Sequence, residues 1–327
     1  MAENGSSLNE TFLNQYDNGE YLSILGISEV TVLGVCLVLT LISSTFIIVI
    51  LHKVENCFGD MTQFIFKSLA VTDFLTGIFC CGLTMIGLVV GKDRGLISQI
   101  LCYVGWAACT GLTGLSALLI ACACIDRFIA VVYPLRYCTL VTMKRFRVVL
   151  AVICSIVLTN AAFSTLRGGF AETDLCLSDF SSTRLAFRPC LVPSLLISCT
   201  SVIVATVTNV KVMFVSSGQS KRSPRVNPPQ VVLQNAATIQ HRGNRKGLLV
   251  LIATTVTFFV AISPWFIISA SHFSHKTAIT LPLARYLSTV LLLSNSWMNA
   301  FIFSIFNKRF REAVKRVMCR IPLNYTV

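Results

Sequence analysis

Long apolar stretches alternate with shorter polar segments along most of this 327-residue chain. Seven stretches hold about 20 or more mostly apolar residues, the length that a helix needs to cross the hydrocarbon core of a membrane. They are continuous and do not alternate between apolar and polar positions, which argues against the strands of a transmembrane barrel. The pattern predicts an all-α fold, a seven-transmembrane helix bundle. The predicted spans one to seven are 30–51, 64–90, 99–125, 147–166, 190–214, 247–270 and 283–306.

The chain therefore divides into a tail over 1–29, a seven-transmembrane domain over 30–306 and a final segment over 307–327. In the final segment, apolar residues recur at helical spacing, with basic residues on the opposite face. This pattern predicts a short amphipathic helix eight that lies on the membrane surface. Cys319 ends that helix beside basic residues and is a candidate for lipidation, with an unmodified thiol as the alternative.

Composition agrees with a membrane protein. Hydrophobic residues make up 54% of the chain and charged residues 13%, whereas soluble domains carry about 25% charged residues. The mean hydropathy is +0.75. So few charges cannot cover the surface of a soluble enzyme of this length.

The basic residues predict the orientation in the membrane. The chain has 27 Lys and Arg and a net charge of +13. If the N-terminus lies outside, 20 of them fall on the inner side and 7 on the outer side, as the positive-inside rule requires. The inner loops are then 52–63, 126–146 and 215–246. The inner basic residues face anionic membrane lipid and acidic cytoplasmic partners, and nucleic acid is not needed to explain them.

The tail before the first span contains no Lys or Arg and no apolar core of a cleavable signal peptide. We expect the first span to act as its own insertion signal. Asn4 and Asn9 stand in sequons, and glycosylation there would agree with a tail outside the cell.

Short motifs then narrow the class of protein. The run LAVTD at 69–73 in span two matches an LAxxD pattern, and DRF at 126–128 follows span three where a DRY motif would stand. NSWMNAFIF at 295–303 is similar to an NSxxNPxxY stretch. By their order, spacing and membrane side, over roughly 30–319, the chain resembles the rhodopsin-like (class A) G-protein-coupled receptors. The resemblance implies a receptor at the plasma membrane, not an enzyme.

The resemblance assigns G-protein coupling to Asp126, Arg127 and Phe128. Asp126 would hold Arg127 at rest, and Arg127 would meet the heterotrimeric G protein when spans five and six move. A guanidinium can exchange one acceptor for another, as such a switch requires. The alternative is a pair of charges that reach the membrane surface from the end of a helix.

Asp73 is the one acidic residue deep within a predicted span. Ionisable groups at that depth cost several kcal/mol and usually mark function. The resemblance implies a sodium ion there, and the ligands would all be oxygen donors, as a hard cation requires. The alternative is a protonated carboxyl group within the bundle. The implied sodium residues are Asp73, Ser116, Asn295, Ser296 and Asn299.

Two cysteines match the disulfide bridge of the resembled family. Cys102 lies at the outer end of span three and Cys176 in the second outer loop. The outer side of the membrane is oxidising and permits the bridge. Cys190, at the start of span five, is a possible competitor.

The outer cavity is predicted to be mostly apolar. By the resemblance, Cys109 stands where amine receptors carry an Asp, and Leu293 stands where opsins carry the lysine that binds retinal. Neither a biogenic amine nor retinal fits these residues. A small extracellular ligand with an apolar body and an acceptor group would suit the cavity. The predicted pocket residues are Cys109, Thr110, Thr113, Trp265, Phe266, Ser269, Arg285 and Thr289.

Several positions depart from the pattern of the resembled family. Thr45 replaces its Asn in span one, Ser201 falls where span five often has Tyr, and Ile262 replaces the Trp of span six. Ala300 replaces the proline of span seven, and Phe303 lacks the hydroxyl of its tyrosine. These departures leave open a scaffold or heterodimer partner that does not signal. A membrane transporter or channel is the alternative from another class, but there is one deep acid and no inverted repeat.

Overall fold

The computed structural model describes residues 19–53, 60–90, 96–167, 188–221, 249–268, 282–306 and 308–318. Helix is the regular structure found among them. A helix satisfies every backbone hydrogen bond within one segment, which a chain in lipid requires. The spans are the helices Gly19–Lys53, Asp60–Leu75 continued by Leu83–Val90, Leu96–Val132, Met143–Arg167, Arg188–Lys221, Leu249–Ile268 and Pro282–Phe306.

Within the described residues, six helices are long and apolar enough to cross a membrane. The predicted fourth span lies in Met143–Arg167, which is not one of the six but packs against spans three and five. Large apolar side chains such as Ile42, Val148 and Ile203 are exposed on the outside of the bundle. Their exposure suits contact with lipid.

The second inner loop begins later than predicted. The helix of span three runs to Val132, so the residues predicted for the start of the loop 126–146 are helical. Pro134 ends the helix because it disfavours helical geometry at the residue before it, and Tyr133 has φ −124° and ψ 56°. A 3-10 turn, Pro134–Arg136, and a short helix, Tyr137–Leu140, follow.

Span two is interrupted by a π-helical segment, Thr76–Gly82. After it, spans two and three approach closely at Gly105. A Cβ at Gly105 would lie 2.6 Å from Thr84 Oγ1, so the approach depends on the missing side chain.

Helix eight is formed over Lys308–Met318. Its apolar face packs against the bundle, which the prediction of a helix on the membrane surface did not include. Phe310 is fully buried, with its ring centroid 6.2 Å from that of Phe46 and 6.0 Å from that of Phe303. Arg311 donates to the carbonyls of Ser304 (3.1 Å) and Ile305 at the end of span seven. Helix eight is thereby joined to spans one and seven.

Candidate functional site

The Asp126 carboxylate is held from two sides near the end of span three. Tyr137 donates its hydroxyl to Oδ1 at 2.7 Å, and Thr62 of span two donates to Oδ2 at 3.1 Å. Asp126 is buried, with 4% of its side chain exposed. Both carboxylate oxygens are therefore satisfied in a way that fixes the side chain between span two and the second inner loop.

Arg127 is paired with its neighbour. Its guanidinium lies 3.3 Å from Asp126 Oδ2, and 21% of its side chain is exposed. Its Nε is buried and has no hydrogen-bond partner among the described residues. Phe128, the third predicted coupling residue, has the Lys211 ammonium 6.0 Å from its ring centroid, within reach of a cation–π interaction. The predicted coupling residues thus lie together on one helix.

Asp73 lies in the middle of the bundle, with 1% of its surface exposed. Asn299 of span seven donates to Asp73 Oδ2 at 2.8 Å, and Ser296 faces the same carboxyl group. Asp73 Oδ1 has no hydrogen-bond partner among the described residues. The structure therefore brings together Asp73, Ser296 and Asn299, three of the five residues of the predicted sodium site.

Other buried oxygens in spans one and seven lack partners among the described residues: Ser44 Oγ, Asn295 Oδ1 and Asn299 Oδ1. Ser116 of span three is also buried. An unpaired buried acceptor costs about 1–3 kcal/mol. Oxygen donors with unused lone pairs are the ligands that a hard cation takes, so the residues present fit a sodium ion.

In span one, the position that corresponds to the family's Asn is shifted by one residue from the prediction. Thr45, predicted to replace the family's Asn, is exposed on the outside of the bundle. Ser44 is fully buried instead. Successive residues of a helix point about 100° apart, so a one-residue difference in alignment moves a side chain from the interior to lipid. Adjacent hydroxyl residues gave no signal of which one faces inward.

Span five carries a functional candidate that the sequence did not reveal. Ser201, predicted to stand at the tyrosine position, donates to the carbonyl of Ile197 in its own helix at 2.7 Å. Asn209, two turns further on, donates its amide to Thr255 Oγ1 of span six at 3.2 Å. The available signal was an amide in a predicted span whose other polar side chains are hydroxyls and Lys211.

Most of the predicted pocket residues are described. Cys109 and Trp265 are buried in one apolar cluster with Leu293. Thr289 is buried too, and Thr110 donates to the carbonyl of Ala107 at 3.1 Å. Thr113 and Phe266 are half-buried. Ser269 and the side chain of Arg285 lie outside the described residues.

The remaining predicted sites are the bridge, the sugars and the lipid. The side chain of Cys102 and all of Cys176, Asn4, Asn9 and Cys319 lie outside the described residues. The bridge, the sugars and the lipid stay predictions.

Comparison with known proteins decides the family. Residues 43–303 match the family described as 7 transmembrane receptor (rhodopsin family), which is most of the chain. The chain belongs to this family. It is a G-protein-coupled receptor and a multi-pass membrane protein, and not an enzyme. Membership favours a receptor over the transporter or channel alternative.

Mouse relatives agree with this assignment. The chain is 25% identical over 300 residues to "G-protein coupled receptor 52", covering 88% of this chain and 80% of that protein. It is 24% identical over 295 residues to "Probable G-protein coupled receptor 21", with 88% and 82% covered.

A solved structure confirms the seven-helix bundle. The crystal structure of squid rhodopsin matches with a TM-score of 0.70, covering 91% of this chain and 86% of that chain. The sequence identity is 14%, so the likeness concerns the fold.

Proposed function

We propose that this receptor is activated by a small extracellular ligand and transmits the signal to a heterotrimeric G protein. The observation that carries the proposal is the Asp126–Arg127 pair. Asp126 is fixed by Thr62 and Tyr137. Arg127 has a buried Nε without a hydrogen-bond partner among the described residues. An arginine so placed is ready to change acceptor when a partner binds. The experiment that tests the proposal is nucleotide exchange on purified G proteins by receptor in nanodiscs.

The second inner loop supplies a contact surface beside this pair. Leu135 lies on the 3-10 turn Pro134–Arg136 and is 98% exposed. It stands on the same side of the bundle as Arg127. A large apolar side chain held in water gains free energy when a partner covers it. Leu135 is therefore the apolar anchor that we assign to G-protein binding.

Leu135→Ala is expected to lower nucleotide exchange by roughly tenfold, because removing an apolar anchor from an interface costs about 1–2 kcal/mol. Leu140→Ala is the matched control, since Leu140 is on the same loop but half as exposed, at 47%. Radioactive GTP-analogue binding, normalised to receptor amount, measures the effect. An equal loss in both variants would show that the loop, and not Leu135, matters.

The ligand is proposed to enter from the outer side and contact the cluster around Cys109 and Trp265. Cys109 cannot supply the charge that an ammonium requires, and Leu293 cannot form a Schiff base. A biogenic amine and retinal are therefore disfavoured. A mostly apolar molecule with an acidic or acceptor group is the proposed class.

Sodium is proposed as an allosteric ion. Asp73, Ser116, Asn295, Ser296 and Asn299 would hold it, and the ion would supply the positive charge that a buried carboxylate lacks. A cation there would favour the resting arrangement, and activation would weaken its binding by reciprocity. Otherwise we propose no cofactor.

The orientation is a separate proposal: plasma membrane, N-terminus outside, sugars on Asn4 and Asn9, a Cys102–Cys176 bridge, and Cys319 inside as a lipidation candidate. Epitope tags placed after residue 2 and after residue 327 test it. In intact cells the first tag is expected to bind antibody and the second only after permeabilisation. Binding of the second tag in intact cells would overturn the proposed orientation.

A divergent scaffold or heterodimer partner is the second candidate function. The observation that favours it lies in span seven. Phe303 is fully buried with its ring centroid 4.7 Å from that of Phe66, and it has no hydroxyl to change partners. A receptor that exchanges no nucleotide with any G-protein class would support this candidate.

A further inference from the structure

Over the described part of its inner half, span six is joined to its neighbours by one polar contact. Among the described residues 249–263, Thr255 is the residue whose side chain hydrogen-bonds to other spans. Thr254 and Ser263 donate to the carbonyls of Val250 and Val260 in their own helix. The polar contact consists of Thr255, Asn209 of span five and Cys124 of span three.

The hydrogens of this contact can be assigned. Thr255 donates its hydroxyl hydrogen to the Leu251 carbonyl at 2.7 Å. A hydroxyl has one hydrogen and two lone pairs. It therefore accepts from the Asn209 amide at 3.2 Å, and from the Cys124 thiol at 3.6 Å between sulfur and oxygen. One threonine oxygen thus binds two spans at once.

The three side chains are buried, with Cys124 fully so. Water does not compete for these groups, so each hydrogen bond is stronger than on a surface. The hydrogen bond from the Asn209 side-chain amide contributes most to the polar contact, because a thiol is a weak donor.

No carboxylate on span six supplements the polar contact. The sequence contains no Asp or Glu between residues 180 and 311, which include spans five, six and seven. Arg127 therefore has no carboxylate to pair with on those spans. Its ion-pair partner in the structure is Asp126 of its own helix. An ion pair between Arg127 and a carboxylate of span six is excluded by composition.

We propose that the polar contact of Asn209, Thr255 and Cys124 holds span six against spans three and five in the resting receptor. It takes the place of an ion pair between Arg127 and a carboxylate of span six, which this chain lacks. Asn209 and Thr255 are positioning residues: breaking their bond shifts the receptor towards the arrangement that binds the G protein. The expected effect on signalling rests on the proposed function.

Two variants of similar size break the bond. Asn209→Leu removes the amide donor, and Thr255→Val removes the acceptor. We expect each to raise basal nucleotide exchange by roughly two- to tenfold, the range that a single buried hydrogen bond commands. Cys124→Ala should have a smaller effect. The double variant should exceed neither single variant by much, because both remove the same bond.

The chain offers matched controls. Thr254→Val is the same substitution one residue earlier, at a buried hydroxyl that bonds only within its helix. Ser201→Ala is the equivalent control in span five. Both should leave basal exchange unchanged. If Thr254→Val raises exchange as much as Thr255→Val, or if Asn209→Leu lowers it at normal surface expression, the proposed role is wrong.

A distance measurement separates this proposal from the proposed function. Ketone-bearing amino acids at Leu249 and Lys144, both exposed, accept spin labels without touching the native cysteines. Double electron–electron resonance measures the distance between the two labels. Asn209→Leu and Thr255→Val should show a longer distance component than the wild-type protein and the controls. An unchanged distribution would overturn the polar contact as a hold on span six. A changed distribution without nucleotide exchange would support the hold and contradict G-protein coupling.

Discussion

Arg127→Ala is expected to reduce nucleotide exchange by roughly thirtyfold or more, because losing a charged contact at a protein interface costs about 2–5 kcal/mol. The Arg127 guanidinium is partly exposed, and it forms an ion pair with Asp126 at 3.3 Å. Alanine removes both the positive charge and the N–H groups that would donate hydrogen bonds to a G protein. The measurement is exchange on purified G proteins by receptor in nanodiscs, with cell-surface amount as the folding control.

Asp126→Asn should act in the opposite direction, which makes it the sharpest companion variant. It keeps an oxygen that can accept from Tyr137 or Thr62, but it removes the charge that holds Arg127. Basal exchange should therefore rise. Normal exchange by Arg127→Ala would contradict the coupling role assigned to Arg127. Absence of exchange by the wild-type protein with every G-protein class would favour the scaffold candidate instead.

Asp73→Asn is expected to abolish any dependence of the receptor on sodium. The wild-type protein should show a higher melting temperature in sodium chloride than in an equal concentration of choline chloride, because an ion that binds only the folded state stabilises it. Its basal exchange should be about fivefold lower or more in sodium, at the lower end of typical allosteric coupling. Asn keeps the shape and can still accept from Asn299, so folding should be retained.

Asp126→Asn serves as the matched control for sodium as well. It is the same substitution at another buried carboxylate, whose oxygens are bonded to Thr62 and Tyr137 and not to residues of the proposed sodium site. Sodium should still raise its melting temperature. Equal melting temperatures and equal exchange in both salts for the wild-type protein would rule out the ion. Asp73 would then be a protonated core residue hydrogen-bonded to Asn299.

The sequence predicted which residues belong to the candidate sites better than which side chains of each helix face inward. The resemblance placed Asp73 and Asn299 among the residues of one sodium site, and their hydrogen bond of 2.8 Å shows that the two side chains meet. In span one the interior hydroxyl belongs to Ser44 and not to Thr45. In span five Asn209, and not Ser201, reaches another helix. Neither feature could be predicted from the sequence, because lipid accepts apolar residues on every side and hydrophobic periodicity does not reveal which face of a helix points inward.

The sequence by itself determined that this chain crosses a membrane as a bundle of helices, because continuous apolar runs of that length have no other way to satisfy their backbone. Its short motifs determined the family. The tertiary structure alone decided which side chains from different spans meet. Asp126 is bonded to Thr62, which is 64 residues away in the sequence, and to Tyr137, which is 11 residues away. Asn209 is bonded to Thr255, 46 residues away. Such contacts depend on the rotation and depth of each helix, which packing of small and large side chains sets against its neighbours.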